Sequence, residues 1–406
     1  MNINYKRVLV LGLGISGVST VKALTKLGAE VIISDLKAED ELGSFLSEIK
    51  DMDLETYFGT NNVPLDNIDL IVKSPGIPLN IDIIKEANKK GIEVITDLEL
   101  AYRISPDRNY IAITGTNGKT TTTTLVGELF KGCGYNTHVS GNIGVGILWD
   151  LINSETEDIF VIEASSFQLE STRDFKPKVS VILNISPDHI NWHKAYENYV
   201  NAKKKIFKNQ TENEYTVLNY DDPLLKEIEK EVNSNIFWFS VDNKLPKGAY
   251  IDRGYVVIND GKKIYKVVKI EDIKILGKHN LENILASVSV GWIMGLDVGL
   301  MGHIIKNFKG VEHRIEYVDT IDGVKFYNDS KGTNPDASIK AVLAVKPPII
   351  LIAGGQDKGS EFDSLIESFG GRVKSLVLLG ETKEKIRDTA IKHGFNNVHL
   401  VNNMKE

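Results

Sequence analysis

The chain has very little cysteine and no long apolar segment. One cysteine, Cys133, occurs among 406 residues, which excludes an intrachain disulfide and a cysteine-based metal site. Such cysteine usage is typical of a reducing compartment, so we expect a cytoplasmic location. No run of about 18 apolar residues exists, so no membrane-spanning helix is expected. The apolar residues 8–11 follow Lys6-Arg7, but glycines interrupt the pattern and disfavour a signal peptide.

An excess of basic residues is also missing. There are 48 Lys and Arg residues against 55 Asp and Glu residues, and the formal net charge is −7. Binding to a phosphate backbone depends on clustered basic side chains, so we expect no nucleic-acid partner. Apolar residues make up 42% and charged residues 25%, as in ordinary globular proteins. The length predicts two or three domains.

Short apolar runs alternate with helical patterns along most of the chain. This alternation predicts an α/β fold with parallel sheets. The pattern restarts twice, which predicts a Rossmann-like domain over residues 1–98, a P-loop ATPase-like domain over 99–308 and a second Rossmann-like domain over 309–406. Residues 236–270 differ, because apolar and charged residues alternate around Asp260-Gly261 and predict hairpins. A strand is predicted over residues 348–352, and the prolines there predict an edge strand or a proline at the strand start.

A glycine-rich loop follows the apolar residues 111–114 and opens a helical pattern. Its sequence is Gly115-Thr116-Asn117-Gly118-Lys119-Thr120-Thr121. Backbone N–H groups at a helix start can hold phosphate oxygens, the Lys119 ammonium can approach the terminal phosphates, and the Thr120 hydroxyl can bind Mg²⁺. The first glycine of the common loop is replaced by Ile113, so the pattern predicts a variant ATP-binding loop. The alternative is a tight turn without a nucleotide.

A second glycine-rich segment lies near the N-terminus. Gly12, Gly14 and Gly17 match the dinucleotide fingerprint, and Asp35 lies 18 residues after Gly17 at the end of the next predicted strand. The segment predicts a diphosphate at a helix start, with Asp35 on a ribose hydroxyl or a base. A sugar nucleotide and NAD fit equally well, so an NAD-dependent oxidoreductase remains an alternative.

Polar groups follow several other predicted strands, where ligands bind in open α/β sheets. Glu163 is a candidate for completing a Mg²⁺ shell, and Asp188-His189 follows another strand. The run Lys203-Lys204-Lys205 alone indicates a solvated helix face. Capped turns are the alternative explanation for these further groups: residues 277–280 with Asn283, His313-Arg314, residues 329–335 and residues 354–359.

These segments together resemble the Mur ligases of peptidoglycan synthesis. The resemblance spans essentially the whole chain and follows the family order. Within the family, three segments favour the branch that joins D-glutamate to UDP-N-acetylmuramoyl-L-alanine. They are residues 12–17, residues 165–170 and Asn328-Asp329-Ser330-Lys331. The matching segments are residues 115–120, Gly141-Asn142-Ile143-Gly144, residues 163–170, Asp188-His189, Ala202-Lys203, residues 279–283, His313-Arg314 and residues 329–335.

The resemblance implies a ligase that activates a carboxylate as an acyl-phosphate, with ATP and two Mg²⁺ ions. Catalytic roles are implied for Lys119, His189, Lys203 and Lys331. Metal ligands are implied at Thr120, Glu163, His189 and a carbamylated Lys203. The implied ATP site contains Gly115, Thr116, Asn117, Gly118, Lys119, Thr120, Thr121, Asn280, Asn283 and Arg314. The implied substrate site contains Gly14, Ser16, Gly17, Asp35, Ser74, Gly76, Asn142, Ser165, Lys331, Thr333 and Lys358.

Two further alternatives stay open: a related ligase that adds another amino acid, and a P-loop switch or motor ATPase. We expect a monomer. Family members continue past residue 406 with a Ser-Pro-rich segment and another helix, so the third domain is expected to be incomplete. A chain without that segment is expected to have weak activity. Residues 401–406 are themselves predicted to begin a helix.

Overall fold

The computed structural model describes residues 3–357 and 359–406. The described residues form two compact units. The first comprises the chain up to residue 268 together with residues 284–305, and the second comprises residues 269–283 and the chain from residue 306 onwards. Among the described residues, no helix is both long and apolar enough to cross a bilayer.

The first sheet of the first unit is parallel, five-stranded and ordered β3-β2-β1-β4-β5. Its order reverses between β1 and β4, which creates the switch point where open α/β sheets bind ligands. The strands are β1 (Arg7–Leu11), β2 (Glu30–Asp35), β3 (Glu55–Phe58), β4 (Leu70–Lys73) and β5 (Glu93–Ile95). The helices are α1 (Ile15–Lys26), α2 (Gly43–Ser47), α3 (Asp82–Lys89) and α4 (Asp97–Ile104).

A nine-stranded, mainly parallel sheet follows in the order β14-β13-β12-β11-β10-β9-β6-β8-β7. Its strands are β6 (Asn109–Thr114), β7 (Thr137–Gly141), β8 (Ile159–Glu163), β9 (Val179–Ile182), β10 (Tyr215–Asn219), β11 (Asn235–Ser240), β12 (Gly248–Asp252), β13 (Tyr255–Asn259) and β14 (Ile264–Lys269). The helices are α5 (Lys119–Gly132), α6 (Ile147–Ile152), α7 (Ser166–Leu169), α8 (Ile190–His193), α9 (Tyr196–Lys204), α10 (Pro223–Ile228), α11 (Lys278–Ile293) and α12 (Val298–Asn307).

The hairpins predicted over residues 236–270 are confirmed only for the later strands. β12 and β13 pair antiparallel, and a turn at Asp260-Gly261 separates β13 from β14. β11 instead pairs parallel with β10 and β12. The sequence prediction was wrong there because alternation reports which face is buried, not the direction of the neighbouring strand.

The second unit contains an antiparallel pair and a three-stranded parallel sheet. The pair is β15 (Glu316–Ile321) with β16 (Val324–Asn328), and the sheet order is β17-β18-β19. β17 lies at the end of that order, as the prolines predicted. The sheet strands are β17 (Ile349–Gly354), β18 (Val373–Leu379) and β19 (Val398–Leu400), and the helices are α13 (Pro335–Ala344), α14 (Asp363–Glu367) and α15 (Lys383–Lys392).

The helix predicted to begin within residues 401–406 is absent from the described structure. The segment contains bends and a turn, and the Asn402 N–H donates to Glu406 Oε2 at 2.8 Å. Six residues offer too few hydrogen bonds to offset the cost of helix nucleation. The α/β class with parallel sheets is confirmed, whereas the domain boundaries at 98 and 308 stay predictions.

A buried carboxylate joins the last helix of the first sheet to the central region. Glu99 on α4 is fully buried and accepts N–H bonds from Arg173 and Asp174 at 2.9 Å and from Phe175 at 3.1 Å. The Arg103 Nε group also donates to Glu99 Oε1, at 2.8 Å. Hydrogen bonds to an ionised group are stronger than neutral ones, so this carboxylate stabilises the junction.

We predict that Glu99→Gln lowers the free energy of unfolding by about 3 kcal/mol, because an amide nitrogen would face backbone N–H donors in a buried site. Urea denaturation of the purified variant measures this change. Asp82→Asn is the control, since Asp82 pairs with Lys85 while its side chain is 99% exposed. The free energy of unfolding of that control should stay within about 0.5 kcal/mol of the value for the parent chain. Equal effects of both substitutions would contradict the prediction.

Candidate active site

The loop of residues 115–118 joins β6 to α5 and leaves a helix N-terminus open to an anion. Gly118 is the N-cap of α5 and has φ +89°, in the left-handed region that favours glycine. Lys119 Nζ donates to the carbonyls of Gly115 and Thr116, both at 2.9 Å. Thr120, in the first turn, is buried. The geometry therefore places backbone N–H groups, one ammonium and one hydroxyl together, as phosphate binding requires.

Residues that follow β9 hold this loop in place. Asn184 Oδ1 accepts the Asn117 N–H at 2.9 Å, and Asn184 Nδ2 donates to the Asn117 carbonyl at 3.1 Å. Thr116 Oγ1 donates to the Ser186 carbonyl at 3.0 Å and lies 3.0 Å from the Tyr199 hydroxyl. Sequence reasoning missed Asn184 and Tyr199. Asn184 could have been found as a polar residue just past a buried strand.

Glu163 and Asn142 meet at the carboxyl ends of β8 and β7. Asn142 Nδ2 donates to Glu163 Oε1 at 3.0 Å, and the Asn142 N–H donates to the Glu163 carbonyl at 2.9 Å. Glu163 is 2% exposed, and its Oε2 is buried without a hydrogen-bond partner in the described part of the chain. A buried, unpaired carboxylate oxygen beside a phosphate loop fits a Mg²⁺ ligand, because Mg²⁺ prefers oxygen donors.

Lys203 is the one member of the triple-lysine run that points into this site. Its side chain is 1% exposed, and Nζ donates to the Gly115 carbonyl at 2.7 Å and to Thr114 Oγ1 at 3.3 Å. Burial, together with the Lys119 charge, lowers the pKa of Lys203 well below its usual value, while Asp188 and Glu163 oppose that shift. The site therefore disfavours the charged ammonium form of Lys203 more than solvent does.

His189 occupies the start of α8 in an uncommon backbone conformation. Its φ is +52°, and its ring centroid lies 4.8 Å from that of Phe167. Its Nε2 lies 3.7 Å from Asp188 Oδ2, and the side chain is 42% exposed. Such strain in a non-glycine residue is concentrated at functional sites. Within residues 3–357 and 359–406, however, no group of three His, Cys, Asp or Glu side chains is placed to hold a metal ion.

At the first sheet, Asp35 braces the glycine-rich turn. Asp35 Oδ2 accepts the Leu13 N–H at 2.7 Å, and Oδ1 accepts the Lys37 N–H at 2.9 Å. The carboxylate therefore orders the backbone that leads into α1. The contact between Asp35 and a ribose or base stays a prediction.

The glycine-rich turn folds back on itself and leaves open space before α1. A Cβ atom on Gly17 would lie 2.1 Å from the Gly12 carbonyl oxygen, so glycine is required there. A Cβ on Gly14 or Gly76 would meet no described atom within 4 Å. Ser74 Oγ donates to the Gly12 carbonyl at 3.1 Å across the switch point. The predicted residues Gly14, Gly17, Ser74 and Gly76 thus share one end of the sheet, and Ser16 follows in the first turn of α1.

Ser165 has a structural role that the sequence prediction did not include. It is the N-cap of α7, where its Oγ accepts the Gln168 N–H at 3.2 Å. The Ser165 N–H donates to Gln168 Oε1 at 3.1 Å, which completes a capping box. A contact between Ser165 and a substrate stays a prediction.

Several predicted site residues lie in the second unit. Asn283 Nδ2 donates to Asn280 Oδ1 at 3.1 Å, and Arg314 Nη1 donates to the Lys331 carbonyl at 2.6 Å. Thr333 is exposed in the irregular segment that precedes α13. Lys358 lies outside the described residues. The contacts predicted between these residues and a nucleotide or amino acid stay predictions.

Three family models match consecutive parts of the chain. The Mur ligase MurD-like N-terminal domain matches residues 6–96, the Mur ligase middle domain matches 113–291, and the Mur ligase glutamate ligase domain matches 313–406. A protein of Thermoanaerobacter sp. (strain X514) is 51% identical over 396 residues, which are 97% of this chain and 87% of that protein. The chain belongs to the Mur ligase family. The predicted resemblance is confirmed.

Further relatives support the same membership. The Thermoanaerobacter protein and one from Clostridioides difficile (strain 630) are both named UDP-N-acetylmuramoylalanine--D-glutamate ligase. The second is 44% identical over 407 residues, covering 100% of this chain and 90% of that protein. The solved UDP-N-acetylmuramate-alanine ligase MurC from Thermotoga maritima has a TM-score of 0.63 at 19% identity, over 98% of this chain and 91% of that one. At this identity it shows the shared fold alone.

Mur ligases depend on ATP and Mg²⁺, which agrees with a phosphate loop beside the unpaired Glu163 oxygen. The oxidoreductase and switch-ATPase alternatives are therefore set aside. Residues that would hold Mg²⁺ are Thr120, Glu163, His189 and Lys203, and this assignment stays a proposal.

We predict that Asn142→Ala raises the Mg²⁺ concentration for half-maximal ATP turnover by roughly 10-fold, because the residue that orients a metal ligand is lost. Release of ADP measured across a Mg²⁺ titration gives this midpoint. Asn109→Ala is the matched control, since Asn109 Nδ2 donates at 3.2 Å to the Glu157 carbonyl in an exposed position at the opposite end of the central strands. An unchanged midpoint in Asn142→Ala would refute the assignment.

Proposed function

We propose that this chain is an ATP-dependent ligase that joins D-glutamate to UDP-N-acetylmuramoyl-L-alanine, releasing ADP and phosphate in a step of peptidoglycan precursor synthesis. The observation that carries the proposal is the 44–51% identity, over nearly the whole chain, to relatives named for this reaction. The geometry around Lys119, Glu163 and Lys203 supports the ATP-dependent chemistry of this proposal.

The reaction needs activation because a carboxylate is a poor electrophile. A carboxylate oxygen of the alanyl group attacks the γ-phosphorus of ATP, the bond to the bridging oxygen breaks, and ADP leaves. The amine of D-glutamate then attacks the acyl carbon of the acyl-phosphate, and inorganic phosphate leaves as the amide forms. The amine loses a proton in this step. Such phosphoryl transfer depends mainly on positioning and electrostatic stabilisation.

The phosphate loop supplies that positioning. The N–H groups at the start of α5 and the Lys119 ammonium would hold the β- and γ-phosphates, replacing the bonds from Lys119 to the loop carbonyls. Bound Mg²⁺ would neutralise charge on the transferred phosphoryl group. Thr120, Glu163, His189 and Lys203 would hold two such ions. Because Asn142 orients the Glu163 carboxylate, it would keep the unpaired oxygen directed at the metal.

Lys203 is proposed to react with CO₂ and carry a carbamate. Carbamate formation needs a neutral amine, since the amine nitrogen attacks the carbon of CO₂ and then loses a proton. Burial and the neighbouring Lys119 lower the pKa of Lys203 and favour that amine. The product is an anion, which would replace an unfavourable buried cation with a metal ligand.

The substrate contacts are assigned residue by residue. The UDP diphosphate would bind at the start of α1, with Gly14, Ser16, Gly17, Asp35, Ser74 and Gly76 around the nucleotide. Asn142 and Ser165 would contact the muramoyl-alanine group. Lys331, Thr333 and Lys358 would contact D-glutamate, and Asn280, Asn283 and Arg314 would contact ATP. A cytoplasmic location, where ATP is available, and a monomeric state complete the proposal.

An isotope experiment tests the mechanism. We expect UDP-N-acetylmuramoyl-L-alanine labelled with ¹⁸O in its carboxylate to transfer one ¹⁸O atom to the released phosphate, because the acyl-phosphate oxygen leaves with phosphorus. Mass spectrometry of the phosphate detects the label. Parallel reactions with L-alanine, L-lysine and diaminopimelate test the amino acid, and ADP release should require D-glutamate. Unlabelled phosphate would overturn the mechanism, and turnover with another amino acid would overturn the specificity.

A second experiment tests the carbamate. Incubation with ¹³C-bicarbonate should produce a carbamate carbonyl signal in the NMR spectrum of the parent chain, and Lys203→Arg should lack it. We expect the variant to lose activity by roughly 10- to 100-fold, because a metal ligand is removed. Lys204→Arg is the control, since the Lys204 side chain forms an ion pair with Glu231 near the surface. A signal that survives in Lys203→Arg would contradict the assignment.

A further inference from the structure

Helix α1 contacts the central region as well as the predicted diphosphate site. The helix begins at Ile15, directly after the open position at Gly14. Ser19 follows about one turn later and is 5% exposed. Its side chain points towards α6.

The Ser19 hydroxyl makes two hydrogen bonds with the start of α6. Ser19 Oγ donates to the Gly146 carbonyl at 2.7 Å and accepts the Trp149 N–H at 2.9 Å. Gly146 is the N-cap of α6 and has no side chain to satisfy the free N–H groups of the first turn. Ser19 therefore supplies from another helix the contact that an N-cap side chain normally makes.

The approach of the two helices is close and specific. A Cβ atom on Gly146 would lie 2.3 Å from Ser19 Cβ and 3.0 Å from the Ile15 carbonyl oxygen. Further along α1, the Lys22 and Lys26 ammonium groups lie 5.9 and 5.4 Å from the centroid of the Trp149 ring. Close packing of this kind leaves few alternative positions for α1 relative to α6.

The same segment carries the residue that orients Glu163. Asn142 precedes Gly146 by four positions, and its side chain donates to Glu163 Oε1 at 3.0 Å. The Gly141 backbone is equally confined, because a Cβ there would lie 2.4 Å from the Glu163 carbonyl oxygen. One short segment thus contacts Ser19 at one end and Glu163 at the other.

We propose that Ser19 is a positioning residue for ligation. By holding the diphosphate-binding helix α1 against the segment of Asn142, its hydroxyl keeps the bound carboxylate within reach of the γ-phosphate. The inference rests on the proposed function. The Ser19 hydroxyl bonds to the Gly146 carbonyl and the Trp149 N–H, so it would act through α6. Displacement of a bound reactant by about 1 Å can cost on the order of 100-fold in rate, so a small shift of α1 has a measurable effect.

The first test is Ser19→Ala, assayed with UDP-N-acetylmuramoyl-L-alanine, ATP and D-glutamate. We expect kcat to fall about 10-fold or more, because the geometry of attack is disturbed. The Kd of UDP alone should stay within about 2-fold, since UDP would contact only the first sheet and the start of α1. Ser289→Ala is the matched control. Ser289 is fully buried on α11, and its hydroxyl donates to Leu285 of the same helix at 2.7 Å.

Moving the hydroxyl from α1 to α6 distinguishes positioning of α1 from simple capping of α6. In the double variant Ser19→Gly with Gly146→Ser, the new serine can cap α6 within its own helix. Removal of the Ser19 side chain relieves the 2.3 Å contact with the new Cβ, and the remaining contact of that Cβ is with the Ile15 carbonyl oxygen at 3.0 Å. Hydrogen exchange at residues 147–152 should then match the parent chain, while kcat stays low because α1 and α6 are no longer joined by the hydroxyl. Recovery of kcat in the double variant would show that Ser19 only caps α6 and would overturn the inference.

Other outcomes are equally informative. Unchanged kcat in Ser19→Ala, or the same loss of kcat in Ser289→Ala, would overturn positioning by Ser19. A parallel loss of UDP affinity would also overturn it, because the defect would then lie in nucleotide binding. Absence of D-glutamate ligation by the parent chain would instead contradict the proposed function itself.

Discussion

Parallel pairing of β6, β7, β8 and β9 is the constraint on which the candidate site depends. Parallel strands end at one edge of the sheet, so the segments that follow them are brought together although they are distant in sequence. The phosphate loop follows β6, Asn142 follows β7, Glu163 ends β8, and Asn184 lies beyond β9. The strand order β9-β6-β8-β7 places the unpaired Oε2 of Glu163, at the end of β8, next to the loop that follows β6 and leads to the helix start.

Burial then determines the chemistry of the side chains at this edge. A buried carboxylate oxygen on Glu163 and a buried amine on Lys203 are both costly, and the described chain does not fully compensate either one. Such costs are tolerated where a ligand or a metal ion completes the site. The same reasoning applies to the loop carbonyls that accept from Lys119, since phosphate oxygens are better partners for an ammonium group.

The junction between the first sheet and the central region contains further buried charge. Lys73 at the end of β4 is 1% exposed, and its Nζ lies 3.3 Å from the Ser74 carbonyl and 3.2 Å from the Pro75 carbonyl. Burial lowers the pKa of Lys73 to about 8, and the nearby Glu170 and Asp97 carboxyls oppose that shift. This lysine therefore braces the turn that carries Ser74 and Gly76. Together with Glu99 and Ser19, it places buried polar groups at a junction that is otherwise packed by apolar side chains.

The amino-acid sequence by itself determined the α/β class, the two glycine-rich turns and the family. Each depends on local signals, because apolar periodicity, glycine spacing and helix starts are determined by residues close together in the chain. Only the tertiary structure decided that Lys203 is buried while Lys204 is paired at the surface, that Asn184 and Tyr199 hold the phosphate loop, and that Ser19 caps α6. The parallel direction of β11 relative to its neighbouring strands was also decided only by the tertiary structure. These features depend on residues far apart in the chain, and their burial and pairing arise only when the sheets pack.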